Sequence, residues 1–259
     1  MVANALTIAG SDSGGGAGIQ ADLKAFSAIG VYGASVVTAV TAQNTQAVIA
    51  IHPVADDVVI AQIKAVLSDI QIDAIKIGML GTPSLIKAVA DAISGFDGPV
   101  VLDPVMVAKS GDVLLADSAI NTLKSHLLPR AALLTPNLPE VTKLVGVGAV
   151  EDQAQALLGL GVGAVLMKGG HADGDICTDH LVSSAGTQSF AAPRVNTHNT
   201  HGTGCSFSSA IAACMAQGLA LPDAVSRAHG WLNKAILAAD DLNVGQGHGP
   251  VHHFHALWT

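Results

Sequence analysis

The sequence predicts an α/β protein, a three-layer αβα sandwich around a mostly parallel central sheet, and three observations predict it. Half of the 259 residues are hydrophobic, only 12% are charged and aromatics are scarce. That composition suits buried parallel strands of Ala, Val, Ile and Leu under small-residue helices. Short, uniformly apolar runs alternate with stretches of helical spacing, the βαβα order of a sheet covered on both faces. Each of six apolar runs then steps into a polar or glycine-rich segment, at the carboxyl edge where open parallel sheets bind ligands.

Taken in order, residues 5–9, 34–40, Ala74–Ile77, Val100–Leu102, 133–135 and Ala164–Met167 read as the strands. Between them 19–29, 55–68, 83–93, 117–128 and Leu138–Val145 have helical periodicity. Asp56, Thr82 and Asp117 are expected N-terminal caps, and Gly30 is an expected C-terminal stop. After Lys168 the pattern changes, with a Gly/Asp-rich segment, a hairpin from Ile176–Ser183 and 188–191, and two long helices. Residues 207–221 read as a buried helix, too short and too interrupted to span a bilayer. No linker, low-complexity segment or repeat divides residues 1–259, so a single domain is expected.

The formal net charge of -8, with no Lys/Arg cluster, argues against nucleic-acid or anionic-membrane partners and for a small molecule. Cys177, Cys205 and Cys214 form neither a CxxC pair nor a zinc-finger spacing, which suits a reducing compartment. The segment MVANALTIAGSDSG has no basic n-region, so a cytoplasmic location is expected.

NTHGTGC at 199–205 carries the most chemistry. Gly202 and Gly204 bracket Thr203 and permit a tight turn, and the following helix directs unpaired N–H groups and its positive end into that turn. A glycine turn before a buried helix is the plainer reading. Cys205 adds to the first, since a thiol at a helix start has a lowered pKa and serves as base or nucleophile. GxxxxGK[ST] is absent, which excludes a P-loop. Gly16–Ala21 fits GxGxxA, but no acidic residue stands between Asp22 and Asp56 to hold a ribose, which demotes a nicotinamide enzyme. In TPNLPE, Asn137 and Glu140 share a helix face, as hard oxygen ligands for magnesium or as a capping box. Asp103 ends its strand with a second carboxylate. Lys168 is either a cation facing phosphate or a solvated strand end.

IAGSDSGGGAGIQADLKAFSAIGVYG, TAVTAQNT, KIGML, LDPVMVAKSGD, TPNLPE, LMKGGH, NTHGTGC and GPVHHFH together resemble the bacterial hydroxymethylpyrimidine/phosphomethylpyrimidine kinases, from Leu6 to the C-terminus. The resemblance implies the ribokinase-like fold, ATP and magnesium, a homodimer, and two phosphorylations, of an alcohol and then of its monophosphate. It makes Gly202, Thr203 and Gly204 the anion hole and Cys205 the base. Gly10, Asp22, Gln43, Met79 and Val105 line the pyrimidine pocket. Asp103 and Glu140 become the magnesium region; Asn137, Lys168, Gly170 and Thr203 meet the nucleotide. Ser13-Gly14 departs from the family, where a Pro-Ser pair is common. The histidines of the tail are expected to pack or to form an interface, and His201 to orient phosphate or hold its loop. The rival readings are a pyridoxal or pyridoxine kinase of the same superfamily and a non-catalytic ligand-binding relative.

Overall fold

A computed structural model of the chain describes residues 1–106, 115, 117–171 and 174–258. Among these the strands are β1 (Asn4–Asp12), β2 (Tyr32–Gln43), β3 (Val48–Pro53), β4 (Ala74–Ile77), β5 (Val100–Leu102), β6 (Leu133–Leu134), β7 (Ala164–Met167), β8 (Ile176–Ser183) and β9 (Gly186–Pro193). They form one sheet in the order β3-β2-β1-β4-β5-β6-β7-β8-β9. From β2 to β7 neighbouring strands pair in parallel. β3 pairs antiparallel with β2 at one edge, and the β8–β9 hairpin pairs antiparallel with β7 at the other.

The helices are α1 (Gly18–Ile29), α2 (Asp56–Leu67), α3 (Pro83–Ala92), α4 (Asp117–Thr122), α5 (Leu138–Val145), α6 (Val150–Leu158), α7 (Thr203–Ala216) and α8 (Leu221–Leu237). Two apolar clusters fix their placement. Val59, Ile86, Ala119, Leu144 and Leu157, from α2 to α6, belong to one; Phe26, Phe207, Ile211 and Leu232, from α1, α7 and α8, belong to the other. Each fully buried Val, Ile, Leu or Phe among these contributes about 1.5–3 kcal/mol relative to exposure. In α7 every residue from Ser206 to Cys214 is buried, which explains why it is built of Ala, Ser and Cys and shows no polar face.

Several expectations hold at residue level. Gly30 ends α1 in the left-handed conformation, φ 87°, and the Thr82 hydroxyl accepts from Leu85 N–H to cap α3. Others need correction. Asp56 is the first residue of α2 and not its cap, so it acts only through the helix dipole; Ala55 holds the cap position. The expected helix over 117–128 stops at Thr122 and continues as a π-type turn, Leu123–Leu127. The Asp117 cap and part of the LDPVMVAKSGD motif lie outside the described residues and side chains. β3 and α6 were not anticipated. β3 is an exposed edge strand, and α6 begins with the polar run Val-Glu-Asp-Gln. The tail packs as expected: His252 and His253 are buried, and His253 Nε2 lies 2.8 Å from Ser206 Oγ on α7. Among the described residues no helix is long and apolar enough to cross a membrane.

Candidate active site

At the carboxyl edge of the sheet, Asp103 directly follows β5 and Lys168 directly follows β7. Lys168 Nζ donates to Asp103 Oδ1 at 2.9 Å, and Thr135 Oγ1, from the end of β6, donates to the same oxygen at 3.2 Å. Burial works against the Lys168 ammonium, but the carboxylates of Asp103 and Glu140 more than offset it and raise its pKa. This is a fixed cation at a strand end and not a solvated one. Glu140 sits beside it: burial first, then Asp103, push its carboxyl up to about 7, with Lys168 opposing.

Of the two readings of Asn137 and Glu140, the capping box is the one the geometry shows. Glu140 N–H donates to Asn137 Oδ1 at 2.9 Å, and Asn137 N–H donates to Glu140 Oε2 at 2.8 Å, a complete capping box for α5. The same cap keeps Glu140 in the Asp103–Lys168 neighbourhood.

Facing this cluster is the turn into α7. Gly202 has φ 75° at the cap position, Thr203 opens the helix, and Thr203 Oγ1 donates back to Thr200 O at 2.8 Å. A methyl at Gly204 would lie 3.3 Å from Lys168 Nζ and 3.7 Å from Asp103 Oδ2, so the turn confronts the cation directly. The positive end of α7 and the Lys168 ammonium converge here, an arrangement suited to an anion.

Cys205 requires a correction. Burial pushes its thiol up to about 11; the Lys76 ammonium and the Gly18 N–H oppose this, while Asp22 and Asp103 add to it. The helix dipole therefore does not leave a low-pKa thiol. Asp22 also differs from expectation, being wholly buried with both carboxylate oxygens committed. Lys76 Nζ donates to both at 2.9 Å, Thr7 Oγ1 to Oδ2 at 2.6 Å, and Ser209 Oγ to Oδ1 at 2.7 Å. It supports the site from behind and does not line a pocket wall. Removing one member of such a buried pair costs about 3–5 kcal/mol. Periodicity alone does not assign Lys76 a role, although a lysine inside the apolar strand AIKI is a signal.

Of the other expected pocket residues, Gly10 and Met79 come together: a methyl at Gly10 would lie 2.6 Å from Met79 Cε. Gln43 ends β2, with its amide nitrogen 3.4 Å from His201 Nε2. Val105 is half-buried two residues beyond Asp103, its N–H donating to Asp103 O at 2.8 Å. Gly170 is exposed, its carbonyl accepting from Arg194. The glycine requirement falls instead on Gly169, where a side chain would overlap Thr178 O and whose N–H donates to Asp179 Oδ1 at 2.8 Å. A cleft of about 500 Å³ between β2, β3 and α3 includes Met79 but none of the other candidate site residues.

A mostly parallel sheet whose strand-end lysine and carboxylates face the start of a helix suits a small-molecule phosphotransferase of the ribokinase-like kind. Residues 12–252 match the family described as phosphomethylpyrimidine kinase. Hydroxymethylpyrimidine/phosphomethylpyrimidine kinase of Escherichia coli is 51% identical, over 98% of each chain. A solved phosphomethylpyrimidine kinase of Clostridium difficile superposes with TM-score 0.80 at 41% identity, over 90% of this chain and 99% of that one. Staphylococcus aureus pyridoxal kinase in complex with AMP-PCP and pyridoxal superposes with TM-score 0.89 at 32% identity, over 99% and 95%. The chain belongs to the phosphomethylpyrimidine kinase family.

Proposed function

We infer that the chain transfers the γ-phosphoryl group of ATP to the hydroxymethyl group of 4-amino-5-hydroxymethyl-2-methylpyrimidine, and then phosphorylates the monophosphate to the diphosphate, in thiamin biosynthesis. The observation that carries the reading is the Gly202–Cys205 turn opposed to Lys168 and Asp103 in a chain of this family. In the first step the alcohol oxygen bonds to the γ-phosphorus, the bond to the ADP oxygen breaks, and the alcohol proton passes to the Cys205 thiolate, the minor form at neutral pH, giving the neutral thiol. Lys168 and the N–H groups of the turn hold the charge that develops on the phosphoryl oxygens. Gly10, Gln43, Met79 and Val105 form the acceptor pocket, where the Gln43 amide offers a donor and an acceptor to the aminopyrimidine edge.

Magnesium fits the donor set. Asp103 Oδ2 and the Glu140 carboxylate are hard oxygens beside the anion hole, and two carboxylates plus nucleotide phosphates and water are the usual magnesium environment. The described residues contain no cluster of three or more His, Cys, Asp or Glu that would hold a metal by protein ligands alone. When bound, the ion supplies charge neutralisation across the phosphates. Asn137, Thr203 and the Lys168–Gly170 segment meet the nucleotide. We read residues 1–259 as one ribokinase-like αβα domain that acts in the cytoplasm as a homodimer.

The test is product mass after incubation with ATP, magnesium and each of three acceptors: the hydroxymethylpyrimidine, its monophosphate and pyridoxine. Monophosphate followed by diphosphate from the pyrimidine is expected. Efficient phosphorylation of pyridoxine with none of the pyrimidine would overturn the assignment in favour of a B6 kinase. Asp103→Asn and Glu140→Gln test the metal role. Both are expected to raise the half-saturating magnesium concentration and to slow turnover by about tenfold or more. Circular dichroism should remain that of the wild type. Loss of melting temperature in parallel with activity, at an unchanged magnesium requirement, would reduce Glu140 to a helix cap.

A further inference from the structure

We propose that Asp12 and His201 form a positioning latch that holds the glycine-rich turn after β1 in register with the anion-hole turn before α7. The inference rests on the kinase reading of the site. His201 Nε2 donates to Asp12 Oδ2 at 2.8 Å, between groups 11% and 3% exposed and 189 residues apart. Asp12 also organises its own loop: Oδ1 accepts from Gly14 N–H at 2.8 Å, and Oδ2 from Gly16 N–H at 3.1 Å and Ala17 N–H at 2.8 Å. From the other side, the His201 backbone N–H donates to Gly249 O at 3.0 Å, so the tail holds the main chain that carries the imidazole.

The two turns touch with no room to spare. A side chain at Gly16 would overlap the His201 ring, and one at Gly202 would overlap Gly16 O. Gln43, from the acceptor pocket, reaches the same imidazole at 3.4 Å, and Lys24 Nζ clamps Gly15 O at 2.7 Å. Gly14, Gly15, Gly16 and Gly202 in these two turns would otherwise sample many conformations, since glycine restricts the backbone least. A site that is competent only a fraction of the time loses apparent affinity and rate by that fraction. The latch joins the loop beside the acceptor to the groups that receive the phosphoryl oxygens, while neither Asp12 nor His201 is placed at the reacting atoms. Both are positioning residues.

The test uses full-length protein carrying His201→Ala, His201→Gln, His201→Asn or Asp12→Asn. His201→Ala is expected to lower kcat on the alcohol and on the monophosphate alike, by about tenfold or more. It should weaken AMP-PCP binding in calorimetry more than ADP binding, because only the former reaches the anion hole with a γ-phosphate. Imidazole added to His201→Ala should restore kcat saturably. His201→Gln, whose amide nitrogen reaches the Nε2 position, should retain more activity than the shorter His201→Asn. Should the alanine variant fail to fold, the Gln-to-Asn comparison and Asp12→Asn carry the same test. The proposal is overturned if folded His201→Ala keeps wild-type kcat. It is equally overturned if Gln and Asn behave alike, imidazole does nothing and the AMP-PCP to ADP ratio is unchanged. Wild-type protein inert on every acceptor would sink the kinase reading instead, while the nucleotide-affinity ratio still reads the latch.

Discussion

Replacing Cys205 by Ala is expected to lower monophosphate formation by about 10²–10⁴-fold, the usual contribution of a general base, in a protein that still folds and binds nucleotide. Diphosphate formation should fall by less than about tenfold, because a phosphate monoester with a second pKa near ~6 is already ionised at neutral pH and needs no base. The pH dependence has a definite sign. Burial holds the Cys205 thiol at about 11, so the neutral thiol dominates at pH 7 and the thiolate fraction grows with pH. The alcohol step should therefore accelerate by roughly tenfold per pH unit between about 7 and 10, and the monophosphate step should stay flat over the same range. The raised pKa also links to stability: the folded state holds the proton after an unfolded thiol has lost it. Stability should fall as pH rises from the ordinary thiol value toward 11, and Cys205→Ala should remove that slope. Single-turnover assays on both acceptors decide the matter. Equal impairment of the two steps, or a flat alcohol profile, would make Cys205 a positioning residue.

The parts of this site that were legible in the sequence are those whose physics is local. The strand ends at Asp103 and Lys168 follow from short apolar runs that stop at a polar step, and α5 begins where Asn137 and Glu140 have cap spacing. Gly202–Thr203–Gly204 needs no tertiary context to be read as a turn into a helix. The Cys205 thiol could not be read the same way. Helix position argues for a low pKa, but burial wins, and the two carboxylates that add to it come from α1 and from the residue after β5. The Asp22–Lys76 pair spans 54 residues and the Asp12–His201 pair 189, so composition and periodicity do not match either residue to its partner. It is the family resemblance, and not composition or spacing, that places Asp22 in the pyrimidine pocket. Its partners on β1, β4 and α7 turn it inward. β3 was missed for a related reason: an exposed edge strand inserted between β2 and α2 departs from the βαβα alternation that made the rest readable.

Gly202→Ala is expected to abolish phosphoryl transfer, with a loss of about 10²-fold or more in kcat, and to lower the melting temperature further than backbone strain accounts for. Two costs add at this position. Left-handed backbone disfavours any side chain by about 1–2 kcal/mol, and Gly202 has φ 75°. A methyl would in addition overlap Gly16 O and come within 3.2 Å of Ala17 Cα, and a clash with backbone is not relieved by rotating a side chain. Gly218 separates the two, because it has φ 85° and nothing within 4 Å of an added methyl. Gly218→Ala should show the strain alone, at the level of about 1–2 kcal/mol, with wild-type turnover. The excess at Gly202 then measures what it takes to separate the anion-hole turn from the loop after β1. Since that separation moves the N–H groups of α7 away from Lys168 and Asp103, activity should be lost before the fold is. A Gly202→Ala protein with normal kcat and the stability of Gly218→Ala would mean that the two turns are not required to touch during catalysis.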